Sequence, residues 1–196
     1  MATTTTTEKP SYLGLLNAIS LAESAAGEFL DAWAKATPDE ELARTLRLVA
    51  ARERSHGEVF CRRIAELGYS LRPKHDPRAD AQLAKLGDPR IGDLEKVPSR
   101  REDATDPFAE IRRRMAEGDF DQMTVNLMNW YIAEEKDSER RLRDAYDAVR
   151  EGGRRKNEAR GNDAPSADAE AIMACMTAGF ARLEKTIEKL AKASRR

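Results

Sequence analysis

Apolar side chains recur along this chain at intervals of three and four, the spacing of a helix with one buried face. Over residues 11–36 they fall at Tyr12, Leu16, Ile19, Leu30 and Trp33, which predicts a first long helix. A second is predicted over 38–67, with a stripe of Leu42, Leu46, Val49, Phe60, Ile64 and Leu67. Its start carries Thr37 as the expected N-cap, Pro38 in the first turn and Glu40 three residues after the cap, a capping-box spacing. Gly68 is placed to end it in the left-handed region. So short a turn makes the first two helices an antiparallel hairpin.

From 71 to 120 the period breaks at Pro73, Pro77, Pro89, Pro98 and Pro107, as expected of a long crossover. Two short helices are predicted within it, over 79–86 and from Asp106-Pro107 to Gly118, with Ile91, Leu94 and Val97 as anchors on the bundle. A third long helix follows over 121–150, with Met128, Tyr131, Leu142, Ala145 and Val149 on one face. Residues 151–165, EGGRRKNEARGNDAP, read as a polar loop. Ser166 is placed to cap a fourth helix over 166–194, with a stripe of Ile172, Met176, Gly179, Leu183, Ile187 and Leu190. Residues 1–10 are expected to be a disordered tail. The pattern as a whole predicts an all-α fold, one domain over 11–194 in which four helices form a bundle with its long crossover between helices two and three.

Composition narrows the functional classes. With 34 Lys plus Arg against 35 Asp plus Glu, the net charge of −1 supplies no general attraction for nucleic acid or an anionic membrane. The first residues lack the apolar core of a secretion signal, and no stretch is apolar for the roughly 18 residues of a membrane span. A cytoplasmic protein is expected. Cys61 and Cys175 lie far apart without CxxC spacing, so both read as packed thiols.

The chemistry lies where polar residues interrupt the apolar stripes. Glu23, Glu53 with His56, and Glu135 each take a position that the helical period assigns to the interior, near the middle of three separate helices. Residues three apart on a helix project from one face, so Glu53 and His56 can grip one cation. Buried carboxylates are costly unless neutralised. A divalent metal neutralises them most directly; raised carboxyl pKa values, buried water, or Arg and Lys side chains reaching inward are the alternatives. Three carboxylates and an imidazole suit iron, manganese or zinc better than calcium. Glu134 competes with Glu135 for the inward position, Tyr131 one turn earlier can be a core tyrosine or a hydrogen-bond partner of a ligand, and His75 reads as a loop residue. Helix one also matches helix three at an offset of 112 residues, with Leu15, Asn17, Glu23 and Leu30 facing Leu127, Asn129, Glu135 and Leu142.

A Glu on helix one, ExxH on helix two and a Glu on helix three after a long crossover resemble the ferritin-like superfamily. The segments LLNAISLAESAAGEFL and ARERSHGEVFCRRIAELG are most similar to its rubrerythrin branch. The resemblance covers the four helices, about three fifths of the chain. It implies a carboxylate-bridged di-iron site that reacts with oxygen or peroxide, with Glu23, Glu53, His56 and Glu135 carried over as ligands. The chain departs from the family on helix four, where Met176 and Gly179 stand in place of a second ExxH, and it lacks the CxxC pairs of rubrerythrins. Three carboxylates balance one divalent ion better than two, so the expectation is one iron, manganese or zinc per chain. Two functions are compatible with this: an iron-dependent oxidase, peroxidase or iron-handling protein, or a structural or interaction protein with a vestigial or stapling metal. Homo-oligomerisation that joins two half-sites is a third arrangement.

Overall fold

The computed structural model describes residues 9–73, 76–98 and 106–160. Among these residues there are six helices and no strand, so the chain is all-α as the periodicity predicts. The two long helices α1 (Leu13–Ala36) and α2 (Glu40–Glu66) form the expected hairpin. Three short ones follow in the crossover: α3 (Pro77–Gly87), α4 (Asp93–Lys96) and α5 (Ala109–Ala116). The last is α6 (Gln122–Arg160). α1 and α2 pack along their length, α3 lies on α1, and α6 lies against α2. The fourth helix predicted over 166–194, with Met176 and Gly179, lies outside the described residues. So do His75, Cys175 and residues 1–8.

The stripes bury as the period requires. Leu16, Ile19, Leu30 and Trp33 of α1, Leu46, Val49, Phe60 and Ile64 of α2, and Met128 and Tyr131 of α6 are all within the core. The apolar residues form two clusters. One gathers Leu16, Ile19, Phe60, Ile64, Met128 and Tyr131, with Phe108 and Ile111 from the crossover, and the other Leu30, Trp33, Leu46, Val49, Leu142 and Tyr146. In every long helix the polar interruption lies between residues of the first cluster and residues of the second. The interior is therefore apolar, polar, apolar along the helix axes.

Gly68 does end α2 in the left-handed region, with φ of 82°. Its N–H reaches the Ala65 carbonyl and that of Tyr69 reaches Ile64, which is the Schellman arrangement. Gly118 closes α5 in the same way, with Asp119 bonding back to Arg114.

Two expectations need correction. The cap of α2 is Asp39 and not Thr37: the Asp39 carboxylate accepts from the N–H groups of Glu41 and Leu42. Thr37 is extended and ends α1, and its hydroxyl donates to Asp93 of the crossover at 2.6 Å. The capping-box spacing was matched by a residue with a long-range bond to make instead. The second correction is at 151–160, expected as loop but helical through Arg160. Gly152 and Gly153 keep negative φ, and at Gly153 a Leu94 methyl lies 2.8 Å from where a Cβ would stand. The glycine lets α4 seat against α6. Of the predicted crossover anchors, Val97 is buried, whereas Leu94 stays 45% exposed apart from that contact.

Candidate metal centre

Each side chain of the polar layer is delivered by one long helix. Glu23 comes from α1, Glu53 and His56 from α2 one turn apart, and Glu135 from α6, and all four are buried. One ligand atom from each can be chosen so that all lie within 4.8 Å of one another. The sequence-predicted set is thus brought together in space.

The imidazole organises the group. His56 Nδ1 faces the cluster, 3.2 Å from Glu135 Oε1, 3.4 Å from Glu23 Oε2 and 3.9 Å from Glu53 Oε2. Its Nε2 points the other way, to Glu134 Oε2 at 2.9 Å. Glu134 and Glu135 therefore flank one ring: Glu135 is the inward carboxylate and Glu134, about a third exposed, closes the outer side. An Nε2–H donated to Glu134 leaves the Nδ1 lone pair aimed at the carboxylates, the tautomer a metal ligand needs.

Tyr131 is both core and partner. It is fully buried, its ring meets His56 and Phe60 edge-on, and its hydroxyl donates to Glu23 Oε1 at 2.7 Å. Burial, with the nearby Glu23 and Glu135 carboxylates, holds its pKa well above the ordinary phenol value, so it stays a donor. Trp130, partly exposed, lies edge-on to His56 with ring centroids 5.0 Å apart. Sequence periodicity did not single out Trp130. The signal was its spacing of four from Glu134, which sets the two along one side of the helix beside Tyr131 and Glu135.

Among the described residues His56 is the only cation paired with Glu23, Glu53 or Glu135. Arg52 is close by in sequence but spends its guanidinium on Asp137 and Ser138, tying α2 to α6 outside the cluster. Burial pushes the Glu53 carboxyl up to about 8, reinforced by the adjacent Glu23. Burial likewise raises Glu135 to about 7, against the lowering effect of His56. For His56, burial opposes the charge, but the surrounding carboxylates of Glu135, Glu23, Glu53 and Glu134 outweigh it and raise the ring to about 12. Without a metal the cluster is a store of protons.

The residues fit a cation. Glu135 Oε1 is buried and, although 3.2 Å from His56 Nδ1, has no hydrogen-bond partner. Such an unfilled acceptor among converging oxygens and one nitrogen is where a divalent ion gains most. No family model, characterised protein or solved structure matches the chain.

Proposed function

We propose that this chain is a ferritin-like metal protein that holds one divalent transition metal through Glu23, Glu53, His56 and Glu135. The observation that carries the proposal is the convergence of four ligand atoms from three helices within 4.8 Å. The ferritin-like assignment is supported by the order of those ligands, a Glu, then ExxH, then a Glu beyond a long crossover. Iron is favoured by the resemblance, while the mixed oxygen and nitrogen set suits manganese and zinc as well. A bound transition metal supplies a Lewis acid, and iron or manganese adds a one-electron couple. The protein's part is to hold the ring tautomer through Glu134, orient Glu23 through Tyr131, and exclude bulk water with Phe60, Tyr131 and Trp130.

A second reading has an observation of its own. A protonated His56 is surrounded by four carboxylates, so the layer can be satisfied as a metal-free ionic core in an interaction protein. Metal analysis of protein purified without chelator and then titrated with iron(II), manganese(II) and zinc(II) separates the two. The metal reading expects about one ion per chain, and His56→Ala lowering affinity by tenfold or more. Negligible binding of all three metals by the parent protein would leave the ionic core as the function of the layer.

A further inference from the structure

Every ligand of the proposed centre is buried, so an ion must travel to it between packed elements, and the surroundings of His56 point to one route. Along the helix axes the polar layer is bounded by the two apolar clusters. A divalent ion crossing either would shed its water with nothing in exchange. The seam between α1 and α2 is closed, since Gly57 has no room for a Cβ against Ser24 and its carbonyl accepts the Ser20 hydroxyl at 2.8 Å. Between α6 and α1, the buried Tyr131 hydroxyl reaches across to Glu23 at 2.7 Å.

The seam between α2 and α6 is different, for it is charged and partly open to solvent. Arg52 pairs with Asp137 across it at 2.7 Å, and Glu134 stands 2.9 Å from His56 Nε2. Of the carboxylates and rings around His56, Glu23, Glu53, Glu135 and Tyr131 are buried, whereas the Glu134 side chain is 34% exposed and Trp130 is 37% exposed. Trp130 lies one turn before Glu134 on α6, and its ring meets the imidazole edge-on. Carboxylate and indole together thus separate the imidazole from water. They are not held alike. Glu134 is bonded to His56, and the core indole of Trp33 is bonded to Asp93, but the Trp130 indole N–H has no hydrogen bond among the described residues. Rotation about its side-chain bonds can move this indole without disturbing α6, on the fast timescale of exposed side chains.

We infer that metal enters and leaves the centre between α2 and α6, past Glu134 and Trp130, and that the Trp130 indole sets the rate of exchange. The inference rests on the metal reading proposed above and adds the route. Glu134 is the first carboxylate of the centre that an incoming cation meets, and its charge draws the ion to the opening. Trp130 is not a ligand. It raises the barrier to passage by the same factor in both directions, so it governs both rates and leaves the equilibrium affinity unchanged.

Stopped-flow mixing of the full chain with zinc(II), and release of bound zinc to an excess of chromophoric chelator, give the association and dissociation rates separately. Trp130→Ala should raise both by about tenfold and hold Kd within about threefold of the parent value. Trp130→Phe, with less bulk at the same edge, should fall between the two. Met123→Ala removes a still more exposed apolar side chain, two turns from Trp130 on α6, and should alter neither rate. Unchanged rates in Trp130→Ala would mean that ions take another path. Faster dissociation alone, with weaker affinity, would make the indole a wall that steadies His56. Either result overturns the inference while the metal reading stands, whereas a parent protein that binds no zinc removes both. Should Trp130→Ala not fold, Trp130→Phe decides by the same two rates.

Discussion

At the scale of single residues, His56 does two jobs with two nitrogens, and the carboxylates on either side of it are not equivalent. Glu135 can bind what Nδ1 binds, whereas Glu134 acts on the ring alone through Nε2 at 2.9 Å. Removing the Glu134 carboxyl leaves the ring free to take the other tautomer or to turn. Glu134→Ala is therefore expected to weaken zinc binding by about 10–100-fold, with Glu134→Gln recovering part of the loss because its amide oxygen still accepts the Nε2–H. Equal losses in the two variants, measured by competition with a chromophoric chelator, would show that the charge of Glu134 matters more than its place beside the ring. Tyr131→Phe removes the hydroxyl that donates to Glu23 Oε1. It should cost about 1–3 kcal/mol of metal-free stability, the penalty of leaving a buried acceptor unmet. A variant as stable as the parent in urea unfolding would mean that Glu23 finds another donor.

At the scale of elements, α1 and α2 approach closely because two positions lack a side chain. A Cβ on Gly57 would stand 2.4 Å from Ser24 Oγ and 3.1 Å from the Ser20 carbonyl, and one on Gly27 would stand 3.0 Å from the Ala50 carbonyl. Ser20 uses the proximity to bond the Gly57 carbonyl at 2.8 Å. Gly57→Ala must push the helices apart beside His56, and about 1–3 kcal/mol of destabilisation is expected, together with weaker metal binding. Gly152→Ala is the control: nothing lies within 4 Å of its added Cβ, and the helix should gain about 0.5–1 kcal/mol. If both changes were neutral in chemical denaturation, the close helix contact would have no energetic weight. The elements were legible in the sequence to the extent that they obey a local period. The stripes of α1, α2 and α6 are such patterns, and Glu23, Glu53, His56 and Glu135 stood out as exceptions to them. Thr37 misled because its hydroxyl bonds Asp93, 56 residues away. Gly152 and Gly153 misled because a helix-breaking pair can remain helical where Leu94 needs the space. Lys96 and Tyr146, both buried with polar atoms that lack a hydrogen-bond partner, gave no signal, since α4 is a single turn without periodicity and the tyrosine's surroundings are set by packing.

At the scale of the whole molecule, a polar layer separates two apolar clusters, so protons and metal at its centre must register in global stability. Without metal, Glu135 and Glu53 hold protons up to about 7 and about 8, far above the 4.5 of an unfolded glutamate. The folded state thus binds more protons than the unfolded one in this window, and stability must fall as pH rises. Their contribution is complete below about pH 4.5 and is lost as pH passes through 7 and then 8. His56 acts with the same sign: its stabilisation is complete below its unfolded value of 6.5 and drains away toward about 12. The surface carboxylates Asp121 and Asp137 are held low by arginine partners and hydroxyl donors, and so act below the window. Metal binding opposes the trend, because a cation displaces these protons and gains affinity by about tenfold per pH unit for each one released. The melting temperature of chelator-treated protein should therefore decline from pH 5 to pH 9. With excess zinc the decline should flatten, and the gap between the two curves should widen with pH. Parallel curves would show that metal binds elsewhere than among Glu53, His56 and Glu135. A metal-free curve that rises through neutrality would mean that the buried carboxyls are ionised in the folded chain, and that a cation other than His56 already neutralises them.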